Sequence, residues 1–138
     1  MRSIFLLVAG GALASCTYGP PPTPAMQAAS AQHAFQTLIA GKVAQQPASC
    51  LPNYRADNMT VIDGRTLGFR VGTGAREAYV VRLSAGCEML GDNLGYTLVS
   101  RQPGGMGLCQ GDIEQVIQNS THIPVGSCSI EQIIPYRG

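Results

Sequence analysis

Four cysteines, Cys50, Cys87, Cys109 and Cys128, are spread through the second two-thirds of the chain. They constrain the fold more than any other feature. The stretch that carries them is about 90 residues long, and a core that small is marginal by itself. Two disulfides would contribute on the order of 2–4 kcal/mol each, and an oxidising compartment would keep them formed. Four cysteines allow about three pairings, and sequence does not choose among them. Closure of local loops favours Cys50 with Cys87 and Cys109 with Cys128. A metal site is the competing use. It is disfavoured, because no CxxC occurs and neither His33 nor His122 stands at ligand spacing from a cysteine. No metal and no cofactor are expected.

The fifth cysteine, Cys16, has a different setting. Arg2 supplies a positive start, residues 4–13 are an apolar run, and Leu13-Ala14-Ser15 lead into Cys16. The run is too short to span a bilayer as a stable helix and fits an export signal. The junction resembles a bacterial lipobox. That resemblance implies cleavage before Cys16 and acylation of its thiol and new N-terminus with palmitate-type chains. Residues 1–15 are then the signal peptide. An odd cysteine in an exported protein needs an explanation, and lipidation supplies one while leaving four for disulfides. Two or three acyl chains anchor stably at about 0.8 kcal/mol per buried methylene. Thr17 follows, where an Asp would resemble an inner-membrane retention signal, so the outer membrane is the expected location.

Residues 16–24 form the expected tether. Residues 17–24 read TYGPPPTP, a proline density that favours polyproline II and excludes packed helix. Eight such residues reach roughly 25 Å at about 3.1 Å each, enough to lift a domain off the headgroups.

Residues 25–138 read as one domain. A helix is expected over 25–40, with Thr23 as N-cap, Pro24 at the first helical position and Gly41 as the stop. Its stripe of Ala28, Ala31, Phe35, Leu38 and Ile39 is mostly alanine, so it must dock on something larger to persist. A β-core is expected over about 50–136. Met59 and Val61 alternate before Asp63-Gly64, and Leu67, Phe69 and Val71 after it, which is a hairpin signal. A three-residue loop with Gly64 in the left-handed region would put all five apolar residues on one face. Further strands are expected at Tyr79, Val81 and Leu83 with Arg82 outward, and at Tyr96 and Leu98. Another is expected from Leu108-Cys109 through residues 113–117, bent at Gly111. Residues 123–125 and 130–134 add one or two more. The fold class is mainly β: a small antiparallel sandwich or partly open barrel with one N-terminal helix, stapled by two disulfides.

The run Gly41-Lys42-Val43-Ala44, Pro47, Cys50-Leu51, the hairpin, residues 79–83 with Cys87, Leu108-Cys109-Gln110-Gly111-Asp112-Ile113 and Cys128 resembles an uncharacterised family of small exported bacterial proteins, a domain of unknown function. The likeness covers roughly residues 38–136. It implies export and a disulfide-stapled β-rich domain, and brings no catalytic residues.

Nine basic and eight acidic side chains are present, and Arg2 leaves with the signal, so the mature chain is formally neutral. A nucleic-acid binder carries a clear basic excess, so that class is set aside. The absence of Trp argues against a carbohydrate-stacking platform. Gly72-Thr73-Gly74 lacks the lysine and helix of a phosphate loop and reads as a turn. His33 reads as a surface histidine, and neither it nor His122 has a triad partner. Asp112 is the most distinctive polar residue, a turn former or a ligand-binding carboxylate beside a fixed disulfide. Arg70 and Arg82, with Arg55 and Arg101, would form a polar sheet face able to meet an anionic partner. The expected role is a non-enzymatic accessory or binding module on the outer membrane, facing the periplasm and contacting an envelope protein or the cell wall. The alternative is an inhibitor of an envelope-attacking hydrolase such as a lysozyme.

Overall fold

The computed structural model describes residues 24–52, 58–72, 76–84, 87, 89–90, 95–100 and 108–138. The expected signal, Cys16, the tether up to residue 23, Arg55, Arg101 and the turn residues 73–75 lie outside the described residues. Helix α1 (Pro24–Ile39) precedes β1 (Val43–Ala44), β2 (Met59–Asp63), β3 (Thr66–Val71), β4 (Glu77–Leu83), β5 (Tyr96–Ser100), β6 (Ile113–Gln118) and β7 (Pro124–Arg137). The strands form one antiparallel sheet in the order β2-β3-β4-β7-β6-β5, with β1 paired to β7. The sheet curls into a half-barrel. Of the two expected architectures, this is the partly open barrel.

The helix ends as its sequence dictates. Gly41 takes φ 70°, which costs glycine little. Lys42 N then donates to Ile39 O at 2.9 Å. The Lys42 ammonium lies 3.4 Å from Leu38 O and 3.3 Å from Ala40 O, a favourable place for a cation.

The first hairpin has the expected register, Met59 opposite Phe69 and Val61 opposite Leu67. Its turn differs. Asp63 pairs Thr66 after a register shift at Ile62, so Gly64-Arg65 makes the turn, and Gly64 is not at positive φ. Asp63 Oδ1 accepts the Arg65 N–H at 2.8 Å, a side-chain bond that replaces the left-handed glycine as the turn device. Alternation from Val61 puts Ile62 on the outer face, where it joins Leu38, Ala78 and Val80 in a small second core, and the bulge keeps Asp63 on that face opposite Thr66.

That outer core is where α1 docks. Ala31, Ala34, Phe35, Leu38 and Ile39 meet the outer face of β2, β3 and β4, and Phe35 packs edge-on against Tyr136 with ring centres 6.5 Å apart. Gly68 makes this close approach possible. A Cβ on Gly68 would lie 2.5 Å from Leu38 Cδ2 and 3.3 Å from Ile62 Cδ1. The inner face holds the main core, built around Phe69, Leu67, Val81, Leu83, Leu98 and Ile130. Strands β3 and β4 are therefore buried on both faces.

β7 is one strand of 14 residues, where separate strands at 123–125 and 130–134 were an expected possibility. Its first half pairs with β6 and its second with β4. The β4 register shifts between Arg82, opposite Gln132, and Leu83, opposite Ile130. Glu131 is the extra residue of this bulge. It changes the phase of alternation, so Cys128 and Ile130 before it and Ile133 and Pro135 after it are all buried.

The disulfides are Cys50–Cys109 and Cys87–Cys128, which corrects the expected pairing. Residues 48–51 run antiparallel to 108–110, with Leu51 N to Leu108 O at 2.7 Å and Gln110 N to Ser49 O at 2.8 Å, and Cys50 directly opposite Cys109. Ser84, just past β4, is bonded to Ser129 on β7 in both directions, which brings Cys87 to Cys128. Loop-closure cost grows only about 0.6 kcal/mol per doubling of length, so local pairing was a weak guide beside strand order. Leu108-Cys109 also lies outside β6: a turn with Gly111 at φ 88° intervenes.

Two outcomes check this architecture. Non-reducing digestion with trypsin and a glutamate-specific protease, which cuts at Glu114 between Cys109 and Cys128, should yield crosslinked peptides joining Cys50 to Cys109 and Cys87 to Cys128. Gly68→Val should lower the urea midpoint by about 1–3 kcal/mol of stability, despite valine's better strand propensity. An unchanged midpoint would mean that α1 does not rest on β3.

Candidate functional site

Across four strands of the outer face, one row of the sheet is polar. Asp63 pairs Thr66, Thr66 pairs Arg82, and Arg82 pairs Gln132. Neighbouring strands are about 4.8 Å apart, so the Cα atoms of Asp63 and Arg82 are separated by roughly 10 Å with Thr66 between them. Thr66 is buried, whereas Asp63 and Arg82 are exposed.

The stretch of α1 around Ala28 and Ala31 forms a wall beside this row. Its residues there are short, Ala28 and Ala31, so a hollow of about 450 Å³ remains between helix and sheet, closed by Gln32, Phe35 and Ile62. A second hollow shares Asp63, Thr66 and Arg82 and extends past Arg65 to Glu131. The two hollows adjoin along the Asp63–Thr66–Arg82 row; the groove beside α1 is in the size range of small-ligand sites.

The charges along it are unequally engaged. Arg65 is held by its turn. Its Nε donates to Leu83 O at 3.3 Å, and its Nη2 lies 3.7 Å from Glu131 Oε2. Both partners are half exposed, so the ion pair contributes little energy but fixes the side chain. The Arg82 side chain makes no hydrogen bond or ion pair among the described residues. Asp63 Oδ1 is taken by the Arg65 N–H, while Oδ2 bonds to none of the described residues. The groove thus offers one cation and one carboxylate oxygen on opposite sides of Thr66.

The arginine face expected from sequence is divided. Arg70 lies on the same outer face as Arg82 but opposite Ala78. That is four residues along β3 from Thr66, about 13 Å, with Leu38 seated over Gly68 between. Arg82 enters the groove and Arg70 does not.

Asp112 belongs to a turn. Its Oδ2 accepts the Cys109 N–H at 2.8 Å, and its N donates to Cys109 O at 3.0 Å. Gly111 N and Asp112 O bond to Ile130, and Gln110 Nε2 reaches Glu131 O at 2.9 Å. The Cys109–Asp112 turn therefore clamps the β7 bulge. Asp112→Ala should cost about 1–2 kcal/mol, read as a lower urea midpoint, with Asp112→Asn recovering part of it.

Glu114 is the residue that sequence reasoning missed. The turn at Gly111 sets β6 so that Ile113 is 66% exposed and Glu114 is 0% exposed on the inner face. It stands opposite Cys128. Its pairing with β5 and β7 fixes that phase, and the apolar Ile113 and Ile117 on the opposite face of the strand hide it. No group of three His, Cys, Asp or Glu side chains placed to hold a metal occurs among the described residues. His33 is exposed on α1, and His122 is exposed in the β6–β7 turn.

Comparison with family models, with curated proteins and with solved structures finds no match to this chain.

Proposed function

We propose that this protein is a lipid-anchored, non-enzymatic binding module of the bacterial outer membrane, facing the periplasm. The observation that carries the reading is the Leu13-Ala14-Ser15-Cys16 junction at the end of a short apolar run, together with Thr17 after it. A proline-rich tether then leads into α1. The two disulfides fit the same compartment, since they persist where thiols are oxidised. The groove beside α1 supplies the means of recognition. Its polar groups are an arginine, a carboxylate, a threonine and a glutamine, a set suited to holding a charged ligand in one orientation.

The test is metabolic labelling with a palmitate analogue in the bacterial host, followed by membrane fractionation. The full chain should incorporate label and fractionate with the outer membrane. Cys16→Ser should lose both label and membrane association while keeping its two disulfides. Label-free processing of the native chain, with soluble periplasmic protein, would overturn the reading.

A further inference from the structure

We propose that the groove between α1 and the Asp63–Thr66–Arg82 row binds a zwitterionic phosphoethanolamine lipid headgroup, in the bilayer that holds the chain's own anchor. The proposal rests on the lipid-anchored reading and names the ligand of the groove.

Charge comes first. Arg82 is uncommitted among the described residues, and Asp63 has one carboxylate oxygen without a bond to any of them. Arg65 and Glu131 are occupied with each other. A ligand with a single negative charge would meet Arg82 but sit beside the like-charged Asp63 carboxylate, which repels it. A ligand carrying both charges a few bonds apart satisfies both ends. A guanidinium grips phosphate through paired N–H donors, and an ammonium with N–H groups donates to a carboxylate. Thr66 lies between them on the sheet. The wall of Ala28, Ala31, Phe35 and Ile62 accepts the glycerol and the first methylenes of the acyl chains.

Position comes second. Seven residues separate Cys16 from Pro24, a span of at most about 29 Å when extended. Ala28 lies one helical turn, about 6 Å, beyond Pro24. The groove therefore opens at the tethered end of the domain, within roughly 35 Å of any bilayer that holds Cys16. Tethering at this length converts headgroup capture into an intramolecular event with a high effective concentration. A weak single site suffices there.

The test uses the full chain carrying Cys16→Ser, so that headgroup binding is read apart from anchoring. Glycerophosphoethanolamine is titrated while NMR follows the Arg82 side-chain Nε–H and the Thr66 amide. Both signals should shift to saturation. Glycerophosphocholine, whose ammonium has no N–H for Asp63, should bind at least tenfold more weakly, and so should glycerol 3-phosphate. Arg82→Ala should weaken binding at least tenfold with an otherwise unchanged amide spectrum, and Arg82→Lys should recover part of it. Asp63→Ala should erase the preference for ethanolamine over choline. Flotation with phosphatidylethanolamine vesicles, but not with pure phosphatidylcholine vesicles, should follow the same order. Absence of saturable shifts, equal binding of the ethanolamine and choline probes, or binding untouched by Arg82→Ala would overturn the proposal. Loss of palmitate labelling in the native chain would instead remove the anchoring argument and leave these titrations interpretable.

Discussion

The extra residue in β7 is what the rest of the sheet depends on. A strand of 14 residues with strict alternation would bury one set of side chains along its whole length. Here the buried set changes parity at Glu131. That change lets the first half of the strand complete the β5–β6 layer and the second half complete the β2–β3–β4 layer, with both facing one interior. A bulge also increases local twist, and the curl of the half-barrel follows from it. The Cys109–Asp112 turn holds the bulge from the side through bonds to Ile130 and Glu131, and the Cys50–Cys109 disulfide holds that turn.

The helix solves a different problem. Curling the sheet encloses one face and leaves the other in water over β3 and β4, where Ala78 and Val80 would be exposed. An alanine-rich helix covers little area by itself, so close approach matters more than side-chain size. Gly68 permits that approach, and Leu38 fills the space that a side chain would have taken. At Ala28, Ala31 and Gln32, on the N-terminal side of Phe35, the contact opens and the groove begins. Covered face and open groove are thus two consequences of one helix, bulky at Phe35 and Leu38 and small at Ala28 and Ala31.

Much of this was legible in the sequence, and the misses have a common cause. Alternation at Met59, Val61, Leu67 and Phe69 gave the hairpin register, because one buried face admits a single phase. Pro24 and Gly41 bounded the helix through backbone geometry alone. The disulfide pairing was misjudged because it follows strand order, which joins residues far apart in the chain. The continuity of β7 was left open because a bulge interrupts its pattern. The burial of Glu114 was hidden because its phase is set by pairing with β7, which places it opposite Cys128. For the candidate site, Arg82 was named for its outward position. Asp63 was noticed only as a turn residue, and its alignment with Arg82 exists only once β2, β3 and β4 are side by side.

The sheet order has a consequence for when this chain can fold. β7 follows every other strand in sequence yet lies between β4 and β6 in space. The β2–β3–β4 meander and the β5–β6 hairpin share no ladder until it is inserted. Each fragment alone has an incomplete apolar face, and β7 carries one half of the Cys87–Cys128 bond. A chain emerging from its N-terminus therefore stays open until its final segment arrives, and long-range pairing of this kind is slow to form. On the lipid-anchored reading proposed above the chain crosses a membrane unfolded, and late closure then keeps it transportable until the oxidising side, where the sheet can be finished.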